Sequence, residues 1–324
     1  MIDTALKDTT DRTHSGGAAT IYAGVDVSKD KLDAYCREWG EPRTFANTPG
    51  GLEGLHRQLP DGIHIVCEAS GGYERALLES AWAIGCTVSR INPACARYYA
   101  KAIGLHAKTD SIDAELITSF AEAKAPSPTE APSKAQRELC AAVRRRTRVA
   151  CEIAAQKTAL GREADRWVKG DIRATLTFLK KRQKKLEDHI DKLIAGCAEL
   201  ARKRELMMGV KGVGKVSSAI VLGECRELGQ ITDAQAASLA GLAPVNKDSG
   251  NKRGARSITG GRGALRRALY MPAMCASRHN PILKEFYTRL VEKGKPHHVA
   301  IAAVMRKLIC LLNRLLRDPG FELS

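Results

Sequence analysis

The apolar pattern of this chain changes period once, and that change limits the folds open to it. Up to about residue 125, short apolar runs alternate with stretches of helical spacing. Beyond Pro126, Pro128 and Pro132 the pattern becomes long, charged and almost free of Gly and Pro as far as Arg204. Strands are expected at 21–27, 32–37, 43–47, 63–68 and 86–91, and helices near 50–59, 73–84, 93–103 and 110–124. The first three strands follow one another as a hairpin meander would, before the chain turns to strand–helix alternation. This order predicts a mixed α/β domain over 21–125 with a ribonuclease-H-like (RuvC-like) core. Residues 1–20 read as a polar, disordered leader without the apolar stretch of a signal peptide.

After a linker at 126–133, Leu179, Leu186, Leu193 and Leu200 fall seven apart, with Leu176, Gln183, Ile190 and Cys197 at the alternate positions. Such spacing predicts a coiled-coil seam within 134–205. Leu139, Val143, Ala150, Ile153, Leu160, Ala164 and Trp167 supply an antiparallel partner stripe, which Arg146 and Lys157 interrupt. An intramolecular hairpin and a contact between chains both satisfy the pattern. The rest, 206–324, is expected to be a mainly helical C-terminal domain, so the fold class is α/β plus α.

Lys and Arg total 52 against 36 for Asp and Glu, a formal net charge of +16. That surplus fits a polyanionic partner, held in part by counterion release. A membrane is not expected, since the most apolar stretch, His298 to Leu316, is broken by Arg306, Lys307 and Arg314. Ten cysteines stand singly with no Cys-x-x-Cys and mostly in apolar contexts, and they read as small buried hydrophobes in a reducing cytosol, not a disulfide frame or zinc site; a cytoplasmic, nucleoid-associated protein is expected. The adjacent His297 and His298 point apart on a helix and make a poor metal pair. Aromatics are 5% of residues, too few for a base-stacking surface.

Acids on apolar strands need a partner, a proton or a cation. Asp26 lies in Ile21-Tyr22-Ala23-Gly24-Val25-Asp26-Val27, and Glu68 ends Ile63-His64-Ile65-Val66-Cys67-Glu68. Asp110 and Asp113, three apart, share a helix face and can both turn towards the strand acids. An oxygen-only set of this kind suits Mg²⁺ or Mn²⁺ rather than Zn²⁺, and paired ions would serve phosphodiester exchange. Each acid also has an ordinary reading: Asp26 steadies a turn, Glu68 opens a solvated loop, and Asp110 caps a helix whose first turn favours Asp113.

Gly209-Val210-Lys211-Gly212-Val213-Gly214-Lys215-Val216 nearly matches a P-loop. Val216 stands where a magnesium-binding Ser or Thr is required, and a charged helix precedes the glycines, so nucleotide hydrolysis is rejected. A helix, glycine turn and second helix beginning near Lys215 can instead hold a nucleic-acid phosphate, with Lys211 and Lys215 as candidate contacts. Val245 to Gly263 is a long Gly-rich segment containing Asp248-Ser249-Gly250, Ser257, Thr259, Arg253, Arg256 and Arg262, followed by Arg266 and Arg267. Its arginines suit phosphate oxygens beside an attacking hydroxyl. Ser249 has no base obvious from sequence, and the residues alone favour Asp248-Ser249-Gly250 as a turn.

Six motifs together resemble one family. They are Gly24-Val25-Asp26-Val27-Ser28-Lys29, Cys67-Glu68-Ala69-Ser70-Gly71, Lys108-Thr109-Asp110-Ser111-Ile112-Asp113-Ala114, Ser238-Leu239-Ala240-Gly241-Leu242-Ala243-Pro244, Asp248-Ser249-Gly250 and Leu265-Arg266-Arg267-Ala268-Leu269-Tyr270. In that order they resemble the DEDD transposases of insertion sequences known as bridge-RNA-guided recombinases. The resemblance implies that Asp26, Glu68, Asp110 and Asp113 bind Mg²⁺ and that Ser249 is the nucleophile that becomes joined to cut DNA. It further implies a structured, element-encoded bridge RNA that pairs with donor and target DNA, and a homo-oligomer built from dimers into a synaptic tetramer. A junction-resolving nuclease that uses water, and a non-catalytic RNA-binding protein, are the other readings the residues allow.

Overall fold

The computed structural model describes residues 20–104, 110–245, 257–318 and 320–321, with side chains at all of these except 110–112 and 245. The leader, Ser249, Arg253 and Arg256 fall outside the described residues. The chain divides into two compact units, Met1–Ala131 and Pro132–Ser324.

The first unit runs β1 (Tyr22–Val27), β2 (Lys31–Cys36), β3 (Arg43–Ala46), α1 (Pro49–Gln58), β4 (His64–Glu68), α2 (Arg75–Ala83), β5 (Thr87–Ile91), α3 (Pro93–Ala102) and α4 (Asp110–Lys124). Every expected strand and helix of this region is found within two residues of its expected ends. The strands form one mixed sheet in the order β3-β2-β1-β4-β5. Short turns join β1, β2 and β3 into an antiparallel meander, while helical crossovers make β1, β4 and β5 parallel. Asn92 and Pro93 show how local chemistry starts a helix here: the Asn92 side chain accepts from the Ala94 N–H at 2.9 Å, and proline fills a position that needs no donor.

Period-two alternation divides the sheet residues between two layers. Ala23, Val25, Val27, Leu32, Ile65 and Cys67 face a core completed by Leu52, Leu55, Leu77 and Leu78 of α1 and α2. On the other face, Val66 and Ile91 meet Ala96 of α3 and Ile117 and Ala121 of α4, with Tyr22 packed beside them. The stretch expected to be a linker lies along β5. Thr129 N–H donates to the Val88 carbonyl at 2.8 Å, Ser89 Oγ donates to the Ser127 carbonyl at 2.7 Å, and Arg90 N–H donates to Thr129 Oγ1 at 2.9 Å. Prolines suit such an edge because they offer no donor to a further strand.

The second unit runs α5 (Lys134–Arg162), α6 (Arg166–Ala195), α7 (Ala198–Met208), α8 (Lys215–Glu224), α9 (Asp233–Leu239), β6 (Pro244–Val245), β7 (Ser257–Ile258), α10 (Gly263–His279), α11 (Pro281–Glu292) and α12 (His297–Arg317). α5 and α6 form an antiparallel hairpin in which Val149 and Ile153 pack with Ile172, Leu176 and Leu179. The heptad does not continue to Leu200 as a single helix. Gly196 and Cys197 interrupt it, and Leu200 opens a new helix in the core of the following domain. The base of the hairpin, with Leu139, Val143, Ile190 and Ile194, joins the same core around Val304, Leu308 and Leu312 of α12. Among the described residues, no helix is long and apolar enough to cross a membrane.

Candidate active site

A glycine brings the acid-bearing end of α4 to the sheet. Gly24 N–H donates to Thr118 Oγ1 at 2.8 Å, and the Thr118 hydroxyl donates to the Tyr35 carbonyl at 2.9 Å. A Cβ at Gly24 would sit 2.6 Å from Thr118 N and closer still to the Ala114 carbonyl, so only glycine admits this approach. Tyr22 packs on the cluster holding Ile117 and Ala121, whereas Gly24 meets Ala114 and Thr118. Moving along β1 towards Asp26 therefore means moving along α4 towards its N-terminus, where Asp113 and Asp110 lie. The Arg37–Glu122 ion pair, 3.0 Å, closes the opposite end.

The register fixes the strand acids. Val25 pairs with Cys67, so Asp26 and Glu68 are the next residues on adjacent parallel strands, and both share the face of Tyr22, Gly24 and Val66 that α4 covers. Asp26, Glu68 and Asp113 are each half-buried. The Asp110 side chain lies outside the described ones. Among the described residues, no three His, Cys, Asp or Glu side chains group closely enough to hold a metal ion. The donor chemistry, carboxylates only, is that of a Mg²⁺ or Mn²⁺ site.

Two buried acids escaped the sequence reading. Asp33 on β2 pairs directly with Asp26 and is 6% exposed; its carboxylate accepts from Thr44 Oγ1 at 2.6 Å and meets Lys31 Nζ at 2.9 Å. Lying between Leu32 and Ala34 on an apolar strand, it carries the same signal that singled out Asp26. Glu74, 4% exposed, collects the Gly72 N–H (2.8 Å), the Ser70 hydroxyl (3.0 Å) and the Ser70 N–H (3.2 Å), with Arg90 at 3.4 Å. Burial pushes this carboxyl up, but those donors and the arginine outweigh it and leave it below the usual carboxylate range. Its spacing from Glu68 gives no hint of this role. Burial drives the Cys67 thiol up to about 12, which makes it an inert neighbour of Glu68. Cys36 and Cys225 are also buried, but Cys95, Cys151 and Cys275 are exposed, against the expectation that the cysteines serve as buried hydrophobes.

In the second unit the described residues on either side of 246–256 pair with each other. Pro244 pairs with Ile258 and Val245 with Ser257, a two-residue ladder not expected from sequence. Arg266 Nη1 donates to the carbonyls of Gly241 (3.2 Å) and Gly260 (2.9 Å), one on each side of that ladder. Gly241 adopts φ +64° there, a conformation that favours glycine. Arg262, expected to bind phosphate, spends its guanidinium on Glu227 at 2.6 and 2.8 Å and on the Glu224 carbonyl at 2.6 Å. The Glu227 hydrogen bonds raise Arg262 against the cost of burial, and for Glu227 they overcome burial and hold the carboxyl low. Arg262 is thus committed to an acid and a carbonyl within the fold, whereas Arg266 engages the ladder's flanks through Nη1 alone. Lys211, Lys215 and Arg267 are exposed. The expected helix–glycine–helix hairpin is present between α7 and α8, with Gly212 at φ +111° set against Pro272 and Ala276 of α10.

Comparison with known proteins adds to this geometry. Residues 23–162 match the family model of the IS110 DEDD transposases, described as Transposase, and residues 204–288 match that of the Transposase IS116/IS110/IS902 family. A "Pilin gene-inverting protein" of Moraxella bovis is 28% identical over 312 residues, spanning 92% of this chain and 96% of that protein. The "Insertion element IS110 uncharacterized 43.6 kDa protein" of Streptomyces coelicolor is 30% identical over 152 residues, 46% of this chain and 36% of that protein. Among solved structures, "T. thermophilus RuvC in complex with Holliday junction substrate" aligns at 16% identity and a TM-score of 0.24, over 34% of this chain and 99% of that one. Two stretches of the chain therefore match transposase domains of the IS110/IS116 type, a DEDD domain at 23–162 and an IS116/IS110/IS902 domain at 204–288.

Proposed function

We propose that this chain is an RNA-guided DNA recombinase that moves or rearranges an insertion sequence through a covalent phosphoserine–DNA intermediate. The carrying observation is that the segment matching the DEDD transposases folds with Asp26 and Glu68 on adjacent strand ends, on the face covered by the helix bearing Asp110 and Asp113. These four acids would hold Mg²⁺ or Mn²⁺, which when bound supplies Lewis-acid stabilisation of charge on the phosphodiester. Ser249 Oγ attacks phosphorus and loses its proton; a serine–phosphate ester forms, one strand P–O bond breaks, and the leaving strand oxygen takes up a proton. Attack of a strand hydroxyl on that ester reverses the bookkeeping and joins the new strands.

Donor and target DNA are the substrates, with base pairing to a structured element-encoded bridge RNA selecting the sequence. The net charge of +16 supports two nucleic-acid partners, and exposed Lys211, Lys215 and Arg267, with Arg253 and Arg256, supply backbone contacts. Homo-oligomers, dimers pairing into a synaptic tetramer, would bring the acids of one protomer to the serine of another.

A suicide DNA substrate, presented to protein carrying its copurified RNA, tests the reading. A protein–DNA adduct that maps to Ser249 and disappears in Ser249→Ala is expected. Cleavage without an adduct would instead mean that water attacks. Sequencing the copurified RNA is expected to return one structured species, and a random RNA population would remove the guide.

A further inference from the structure

Two turns leave the sheet from the strand ends that carry Asp26 and Glu68, and each is fixed internally. After β1, Ser28 N–H donates to the Lys31 carbonyl at 3.0 Å, and Lys31 N–H returns to Ser28 Oγ at 3.2 Å. Beyond β4, Glu74 gathers Ser70 and Gly72 at 2.8 to 3.2 Å. These bonds set the shape of each turn but not the distance between them.

Asn47, just past the end of β3, spans that distance. Its backbone N–H donates to the Asp30 carbonyl at 3.0 Å, which anchors it to the first turn. Its Nδ2 donates to the Ser28 carbonyl at 2.9 Å and to the Tyr73 carbonyl at 3.3 Å, one in each turn. Two carbonyl neighbours determine the orientation of the amide, because the flipped form would set Oδ1 against two acceptors. β3 reaches this point only because it is the edge of the meander, so the residue that follows it emerges beside the parallel strand ends.

We infer that Asn47 is a positioning residue that ties the turn after Asp26 to the turn after Glu68 and so sets the spacing of the two carboxylates for a divalent cation. The inference rests on the proposed metal-binding role of those acids. Ser28 lies two residues beyond Asp26 and Tyr73 five beyond Glu68, so a shift of either turn carries through a short, hydrogen-bonded segment to the carboxylate. Removing an outer group that orients metal ligands typically costs roughly 10–100-fold in metal affinity or activity; Asn47 acts one step further out, through the backbone of each turn.

Mn²⁺ binding to the full-length protein, read by titration calorimetry and by the electron paramagnetic resonance signal of free Mn²⁺, separates the possibilities. Asn47→Asp keeps the volume but turns an acceptor towards both carbonyls, and Asn47→Ser is a second variant in case the first folds poorly. Leu55→Val, in the apolar core of the same unit, serves as a control for general loosening. The expected result is a roughly 10-fold or greater loss of Mn²⁺ affinity in both Asn47 variants, with Leu55→Val binding as the native chain does. Native affinity in the Asn47 variants, while Asp26→Ala and Glu68→Ala abolish binding, would overturn the inference and leave the acidic site intact. An equal loss in Leu55→Val would also overturn it, by assigning the effect to stability. Native Mn²⁺ binding in Asp26→Ala and Glu68→Ala would remove the parent reading and Asn47's role with it.

Discussion

The two units place their carboxylates differently. In the first, Asp26, Glu68 and Asp33 fall on one face of the sheet at neighbouring strand positions, alongside ion pairs such as Arg90–Glu74 and Lys31–Asp33, and Gly24 lets a helix approach that face. In the second, acids are matched one by one to arginines: Arg262 to Glu227 at 2.6 Å, Arg314 to Asp233 at 2.6 Å, Arg204 to Asp191 at 2.7 Å and Arg146 to Glu187 at 2.7 Å. A like-charged cluster costs stability unless something positive enters it, whereas a matched pair is internally satisfied. On the proposed function, the contrast separates charge retained for chemistry from charge retained for architecture.

The sharpest way to break that contrast is to remove one charge of each kind. Asp26→Ala and Glu68→Ala are expected to abolish strand cleavage while leaving urea unfolding of the first unit close to native. A large loss of stability with cleavage retained would reverse the assignment. Arg262→Ala strands the Glu227 carboxylate in a largely buried position, for which a loss of about 3 kcal/mol is expected in the second unit. Hydrogen exchange there should accelerate, and an unchanged rate would show that the pair is ornamental.

Gly24→Ala tests the first unit by packing instead of charge. The added methyl meets the α4 backbone, and a destabilisation of about 2 kcal/mol is expected in urea unfolding. A variant as stable as the parent would mean that α4 sits farther from β1 than described.

Acid should distinguish the units next. Burial pushes His56 and His64 of the first unit below their ordinary 6.5, so their neutral forms stabilise the fold at higher pH. That stability is lost as pH falls below 6.5 towards the depressed folded values. Glu74 in the first unit and Glu227 in the second lie below the ordinary 4.5, and their contribution is present above that pH and lost as it falls through the lowered values. Thermal melts should therefore show the first unit weakening from about pH 6.5 and the Glu227 contribution of the second only below about 4.5. Simultaneous loss near pH 6.5 would contradict this. The smallest effect is expected at Glu53→Gln, whose partner Arg57 lies in the open at 2.8 Å; a change within about 0.5 kcal/mol is expected in the same assay.

Legibility in the sequence followed the range of the interactions involved. β1 to α4 are readable from apolar spacing, which acts within a few positions, and the structure adds the caps Thr48 and Asn92 at the starts of α1 and α3. Asp26 and Glu68 stood out because a charge on an apolar strand is a local anomaly. Asp33 carries the same anomaly inside the expected strand 32–37, and its burial comes from Thr44 and Lys31 on the sheet. Arg262 and Arg266 were read as phosphate contacts because nothing near them in sequence announces Glu227, 35 residues away, or the Gly241 carbonyl, 25 residues away. Leu200 keeps the heptad while leaving the helix, because α6 ends at Gly196 and α7 starts after Cys197, a break that a hydrophobic count does not register.

By itself the sequence determined the strands, the long charged helices, the surplus of positive charge and the acids that break apolar runs, all of which depend on residue type and near neighbours. Only the tertiary structure decided which acids share a face, which arginines are already engaged, and that Asn47 joins the turns after β1 and β4. Those outcomes depend on register and on the approach of α4 to Gly24. Both are set by contacts between residues far apart in the chain, where spacing along the sequence holds no record of distance in space.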